Sequence, residues 1–230
     1  MSNQSPLKYI AGLIPLARVS APQFVAAVIR EAIVTGALSG SEPLRQDLIA
    51  TELNTSKVPV REALRELEGQ GLVQFLPNRG FMVTQPSRHE MNECFELRAV
   101  LEPLAVRHSV PLSTPEQLDA VERIIDEFEK VHDPILSSQW NLSLHTALYA
   151  PARMKHLENM IIRAHTVAQR YTHIYMQLRS AGIDSQDEHR AILAAYRAKD
   201  VEAAVALMTK HVKQASDEAA EYLKDHFEQN

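Results

Sequence analysis

The sequence predicts a mainly α protein in two parts, an N-terminal winged helix-turn-helix and a C-terminal antiparallel all-α helical bundle. Three observations carry that reading. Ser56 is placed to N-cap a helix with Pro59 in its first turn, where a missing N–H costs nothing, and Val60, Ala63, Leu64 and Leu67 then give one apolar face at i, i+3, i+4 and i+7. Leu72-Val73-Gln74-Phe75 and Phe81-Met82-Val83 are β-prone runs on either side of Pro77-Asn78-Arg79-Gly80, the pattern of a hairpin with a basic tip. Beyond residue 87 helical periodicity and capping boxes recur, with no strand pattern and no internal repeat.

Taken in order, residues 1–20 read as an extension, in which Leu13, Ile14, Leu16 and Val19 stay exposed unless it is partly ordered against the head. Its apolar stretch, Tyr9 to Val19, is broken by Pro15, is too short to span a bilayer and lacks the long apolar region and cleavage site of a signal peptide. Residues 21–86 form the head. Pro22 opens a supporting helix with Phe24, Val25, Val28, Ile29 and Ile33 on one stripe, ending near Gly36. Leu48, Ile49 and Leu53 mark a short helix, joined by Asn54-Thr55 to the basic one. The boundary lies at 84–88, and residues 87–230 form the body. Ser87 and Glu90 open a helix over 88–110 carrying Met91, Phe95, Leu97, Leu101 and Leu104. Thr114 and Gln117 open one over 114–131 with Leu118, Val121, Ile124, Ile125 and Phe128. Helices are expected at 135–149, 154–180, 186–198 (started by Ser185 and Glu188) and 201–227 (started by Asp200). The interior of such a bundle commonly hosts ligand and metal sites.

At 230 residues the chain is comfortable for two domains, each with its own core. Residues 1–88 hold nine Lys/Arg against seven Asp/Glu, net +2, which leaves net −7 for the rest of a chain of net −5. A mildly basic head on an acidic body suits a protein that touches DNA with one end. The single cysteine, Cys94, falls on the apolar side of a helix and reads as a small core residue in a reducing cytoplasm. No nucleophile elbow, Walker loop, Gly-rich dinucleotide turn or zinc-protease helix is present.

Lys57, Arg61 and Arg65 stand at i, i+4 and i+8, which would aim them along one groove wall within reach of phosphates and guanine edges. The plainer alternative is a solvated face paired to Glu62, Glu66 and Glu68. Ser56 and Asn54 could add phosphate contacts, Arg45 a backbone contact near the entry of the second helix, and Arg79-Gly80 would form the wing tip.

The string SKVPVREALRELEGQGLV followed by PNRGFMV resembles the DNA-binding head of GntR-family transcriptional regulators, and the downstream pattern is similar to the FadR subfamily with its FCD effector domain. Two positions depart from the family: Asp47 stands where many members carry a DNA-contacting arginine, and Lys57 where arginine is commoner. Metal-binding members show an acid-x-x-x-His on one helix and single histidines on the last two. Here Asn141, His145, His189 and His211 match, with Asn141 in place of the aspartate. Taken alone, an isolated helical histidine is structural or surface; the resemblance implies a divalent metal, and neutral imidazoles point to zinc or nickel. Four neutral ligands would leave the ion's charge uncompensated by protein and call for an anion.

Leu97-Arg98-Ala99-Val100-Leu101-Glu102 resembles the first effector-domain helix of the family. An inward Arg98 must be paired, either to Glu102 or to an anionic ligand. The central helix offers Arg163, His165, Arg170, Tyr171 and His173, and Arg98 and Arg163 are the expected effector contacts. The expectation is therefore a cytoplasmic, homodimeric DNA-binding regulator, not an enzyme and without a membrane partner. It would bind double-stranded DNA at an inverted repeat and answer to a small organic-acid effector. The alternative is a metal-dependent enzyme acting on a small carboxylate through the histidines.

Overall fold

The computed structural model describes residues 5–14, 20–131, 133–178 and 185–223, and within them all side chains but those at 134, 135, 138, 173–178, 185 and 222. The chain divides into two units, Met1–Pro86 and Ser87–Asn230.

In the first unit the extension contains a helix that the apolar pattern alone does not announce. α1 (Pro6–Leu13) is capped by Ser5, whose Oγ accepts from the Lys8 N–H at 3.3 Å and donates to Glu52 at 2.8 Å. Its Leu7 and Ile10 are buried, packing α1 on α2 (Ala21–Val34) and α3 (Gln46–Glu52); Leu16 and Val19 lie outside the described residues. α2 begins at Ser20, whose N–H donates to Gln23 Oε1 at 2.9 Å, and ends before Gly36 in the left-handed region at φ 73°. Its buried Val25, Val28, Ile29 and Ile33 pack on α4 (Lys57–Gly69), whose Val60, Ala63, Leu64 and Leu67 are fully enclosed. That interlock fixes the second helix of the helix-turn-helix. On α3, Ile49 and Ala50 are buried, while Leu48 is exposed. Strands β1 (Val73–Leu76) and β2 (Gly80–Val83) pair antiparallel with Val73 opposite Val83 and Leu76 opposite Gly80. Asn78 (φ 66°) and Gly80 (φ 79°) turn the chain through left-handed backbone, where glycine carries no Cβ penalty. The segment before α3 also joins the wing, through Leu44 N–H to Phe81 O at 2.8 Å and Val83 N–H to Glu42 O at 2.9 Å.

The second unit consists, among the described residues, of α5 (Arg88–Leu112), α6 (Pro115–Phe128), α7 (Pro134–Tyr149), a 3-10 turn at Ala150–Ala152, α8 (Lys155–Leu178), α9 (Ser185–Arg197) and α10 (Val201–Tyr222). The expected ends of two helices, 179–180 and 224–227, lie outside the described residues, as does the side chain of Ser185. Ser87, Thr114 and Asp200 each accept an N–H three residues on, as their capping spacing implies. α5 packs on α8 and α10, and α6 on α7 and α9. Lys199 closes the end of α5: its ammonium donates to Val110 O at 3.0 Å and to Ser113, a cation where the helix dipole is negative. Tyr196 ties three helices together, bonding Ser109 at 2.7 Å and donating to Leu148 O at 3.1 Å. At the start of α5, Tyr171 donates to Glu90 and accepts the Ser87 N–H at 3.1 Å. Cys94 is buried, and that burial pushes its thiol up to about 12, as suits an unreactive core residue.

Candidate nucleic-acid interface and candidate metal centre

The head carries a cleft of about 680 Å³ lined by Arg45, Asp47, Leu48, Lys57, Arg61, Arg79 and Gly80, among others. Helix periodicity explains which basic residues reach it. At roughly 100° per residue, position i+4 is turned by about 40° from position i, and i+8 by about 80°. Lys57 and Arg61 therefore share the cleft, and Arg65 does not. Its guanidinium lies over the rings of Phe75 and Phe81, at 5.1 and 5.2 Å, and bonds Glu68 at 2.7 Å. Of the three basic residues expected along one wall, Lys57 and Arg61 thus line the cleft, and Arg65 rests against the wing. Inside the cleft, Arg61 Nε donates to Gln46 at 3.2 Å and Lys57 pairs with Asp47. The two family departures are thus each other's partners. Ser56 is the N-cap residue of α4 but its side chain makes no capping bond, and Arg45 is the N-cap residue of α3.

In the body, α7, α9 and α10 bring His145, His189 and His211 together. Their ring centroids are 4.8 to 5.7 Å apart, and one ligand atom from each falls within 4.8 Å of the others. The hydrogen bonds around them fix which nitrogen is free. His145 Nδ1 meets Glu102 Oε2 at 2.9 Å, His211 Nδ1 meets Glu188 Oε2 at 2.8 Å, and His189 Nδ1 meets Gln186 Oε1 at 3.2 Å. Carboxylate and amide oxygens only accept, so each Nδ1 carries the proton and each Nε2 presents a lone pair. The Nε2 atoms of His145 and His189 are buried without a partner among the described residues. An orphaned buried acceptor costs about 1–3 kcal/mol, so this donor set fits a divalent cation. Asn141 lies one turn before His145 on α7, half-buried.

Burial pushes His145, His165 and His189 below the usual histidine range. Glu102 is fully enclosed. Its burial, the largest single influence, works upward, yet Arg98 and the neighbouring imidazoles outweigh it and hold the carboxyl well below the usual range. With those imidazoles neutral, Arg98 is the charge that keeps Glu102 ionised, through Nε to Oε1 at 2.6 Å. Glu102 also accepts from Tyr149. The alternatives for Arg98 are both in play: Glu102 takes Nε, and among the described residues neither Nη has a hydrogen-bond partner.

Two expectations change here. Arg163 is exposed on α8, away from the residues that α8 buries, so it is not placed as an effector contact. The metal charge is not left wholly to an outside anion either. Glu102 and Glu188 stand behind two of the ligands, and with Arg98 counted they leave one negative charge to set against the ion's two. Residues that periodicity misses include Glu188, Gln186, Tyr149 and above all His165. Every residue of α8 from 164 to 171 is buried, so no face stands out in the pattern; the side chain of His173 lies outside those described.

A basic cleft on a winged helix-turn-helix, joined to a helical bundle with a histidine cluster, is the build of a DNA-binding regulator with a sensing domain. Residues 22–83 match the family described as bacterial regulatory proteins, gntR family, and residues 93–214, just over half the chain, match the FCD domain. The chain belongs to the GntR family of bacterial transcriptional regulators, with an FCD domain as its second part. It is similar to the HTH-type transcriptional repressor GlaR of Escherichia coli, 26% identical over 204 residues covering 80% of this chain and 89% of that protein. It also resembles a probable D-xylose utilization operon transcriptional repressor of Paenarthrobacter nicotinovorans, 28% identical over 201 residues, 82% of this chain and 85% of that one. A GntR family member from Pseudomonas syringae pv. tomato superposes over 97% of this chain and 96% of its own, with 28% identity and a TM-score of 0.57. Escherichia coli McbR shares the fold over 85% of this chain and 95% of its own, with a TM-score of 0.75 at 24% identity. Among the described residues no helix is long and apolar enough to cross a membrane.

Proposed function

We propose that this protein is a homodimeric repressor, working in the cytoplasm, that grips an inverted-repeat operator with two heads. It lets go when a small organic carboxylate binds beside a divalent metal held by His145, His189 and His211. The observation that carries the reading is the histidine triad, with each Nδ1 engaged and the Nε2 atoms of His145 and His189 buried and unpartnered. Neutral imidazoles favour zinc or nickel over magnesium or calcium. Asn141 is the fourth ligand, and being neutral it makes the wild type bind metal more weakly than Asn141→Asp. The unengaged Nη groups of Arg98 take the carboxylate. On DNA, Lys57, Arg61 and Arg45 face the groove, Ser56 adds a phosphate contact through its unused hydroxyl, and Arg79-Gly80 forms the wing contact.

One recognition helix buries too little surface for operator affinity, which supports a two-fold dimer. An acidic body needs an apolar contact to pair with itself. α5 offers one in Leu97, Val100 and Leu104, which are 43, 68 and 40% exposed at i, i+3 and i+7. The test is a mobility shift on the DNA upstream of the protein's own gene, with zinc and a panel of small carboxylic acids added. A retarded band that zinc plus one acid abolishes is the expected result; no retardation, or a monomer in sedimentation at micromolar concentration, contradicts the reading.

A further inference from the structure

His165 is the unexplained residue of the body. It is 1% exposed, and neither ring nitrogen has a hydrogen-bond partner among the described residues. It stands beside His145: its ring lies 4.9 Å from that of His145, and its ligand atom groups with His145 and Glu102, whereas His189 and His211 form the other group with His145. Arg98, paired to the same Glu102, faces this group as well, with two Nη groups that have no partner among the described residues.

We infer that His165 reads a hydroxyl group on the effector, so that the site takes hydroxy-carboxylates in preference to plain carboxylates. This rests on the effector reading above and narrows it. A neutral imidazole offers one N–H donor and one lone pair, whichever tautomer it adopts. The two buried ring nitrogens of His165 therefore call for an acceptor at its N–H and one donor at its lone pair, while the Nη groups of Arg98 can take a further acceptor. A carboxylate supplies acceptors only. Bound alone it would seal the lone pair away from water with nothing to receive, the situation in which buried sites reject ligands most strongly. An ammonium group could donate, but Arg98 repels a second cation there. A hydroxyl donates without charge, and its oxygen can also accept.

The experiment titrates zinc-loaded full-length protein with matched acids that differ by the hydroxyl: propionate and lactate, butyrate and 3-hydroxybutyrate, succinate and malate. Alanine is included as the ammonium counterpart of lactate. Wild type should bind the hydroxylated member of at least one pair about 10-fold or more tightly than its partner, and alanine more weakly than lactate. In His165→Phe that preference should vanish while zinc affinity is unchanged. His165→Gln, which keeps one donor and one acceptor, should retain most of it. Equal affinity within every pair would overturn the inference alone, and would mean that ordered water meets the lone pair. A preference that survives in His165→Phe, or zinc affinity lost in both variants, would overturn it by giving His165 no such role or that of a metal ligand. If no acid binds wild type, the carboxylate reading itself falls and the inference falls with it.

Discussion

The head and the body both carry charged residues with partners, and the partnerships differ in kind. In the cleft Lys57 meets Asp47 and Arg61 meets Gln46 on an open surface, where a pair is worth about 0–1 kcal/mol and can be exchanged for phosphates at little cost. Around the triad, Arg98, Glu102 and His145 are 4, 0 and 1% exposed, where removing one partner strands another in a medium that cannot solvate it. The exposed set can exchange its partners at little cost. The buried set is made to stay, and among the described residues the Nε2 atoms of His145 and His189 and both ring nitrogens of His165 are buried there without partners.

The largest effect that tests this contrast is expected from Glu102→Ala. It strands the Arg98 guanidinium and removes the acceptor that holds the His145 tautomer, so a loss of about 3–5 kcal/mol in thermal unfolding and weaker zinc binding are expected. A loss under about 1 kcal/mol would mean that water reaches the pair.

The second test is pH. His145, His165 and His189 are kept neutral by burial, whereas the unfolded chain protonates its histidines near pH 6.5. The unfolded state then binds more protons, so the stability these groups contribute is full above that pH and is lost as pH falls below it. The contribution of Glu102 runs the same way but in a lower window, since its folded value lies well below the usual carboxylate range and is lost only in strong acid. The melting temperature should therefore fall between pH 7.5 and 5.5, more steeply with zinc bound, and a flat profile would show that the histidines are solvated.

In the head the expected effects are smaller and fall on binding. Arg61→Ala should cost about 1–3 kcal/mol of operator affinity if Arg61 reads a base edge, and relax preference at one position. Arg65→Ala should cost less and act through the wing, because its guanidinium is held over Phe75 and Phe81. Equal losses in a competition assay would return Arg65 to the groove wall. Asp47→Asn should have the smallest effect, a gain below about 1 kcal/mol at low salt as Lys57 is released to the DNA. A loss would mean that Asp47 itself touches a base.

Legibility in the sequence followed the same divide. Val60, Ala63, Leu64 and Leu67 on α4 and the Pro77–Gly80 turn announce themselves, because an amphipathic helix with one buried face and a hairpin are local patterns. Four of the six body helices are readable from the capping residues Ser87, Thr114, Ser185 and Asp200, and His145, His189 and His211 from resemblance to a family pattern. Leu48, Ile49 and Leu53 mark the short helix α3, but the apolar pattern does not show that Leu48 lines the cleft. Arg163 and His165 misled for a stronger reason. Over 164–171 the helix is buried at every position and has no polar stripe against which to orient an inward residue, so only neighbouring helices decide what faces the site. The supporting hydrogen bonds from Glu102, Gln186 and Glu188 join residues by position in space, and spacing along the chain shows that for none but the turn-related pair on α9.

The most direct measurement is calorimetry of zinc and nickel into metal-stripped full-length protein, repeated with His189→Ala. One ion per chain bound by wild type, with affinity collapsing in the variant and operator release by the effector lost with it, is the predicted outcome. If wild type takes up neither ion at about 100 μM, and His189→Ala leaves the effector response intact, the triad is structural and the account of the body as a metal-dependent sensor is wrong.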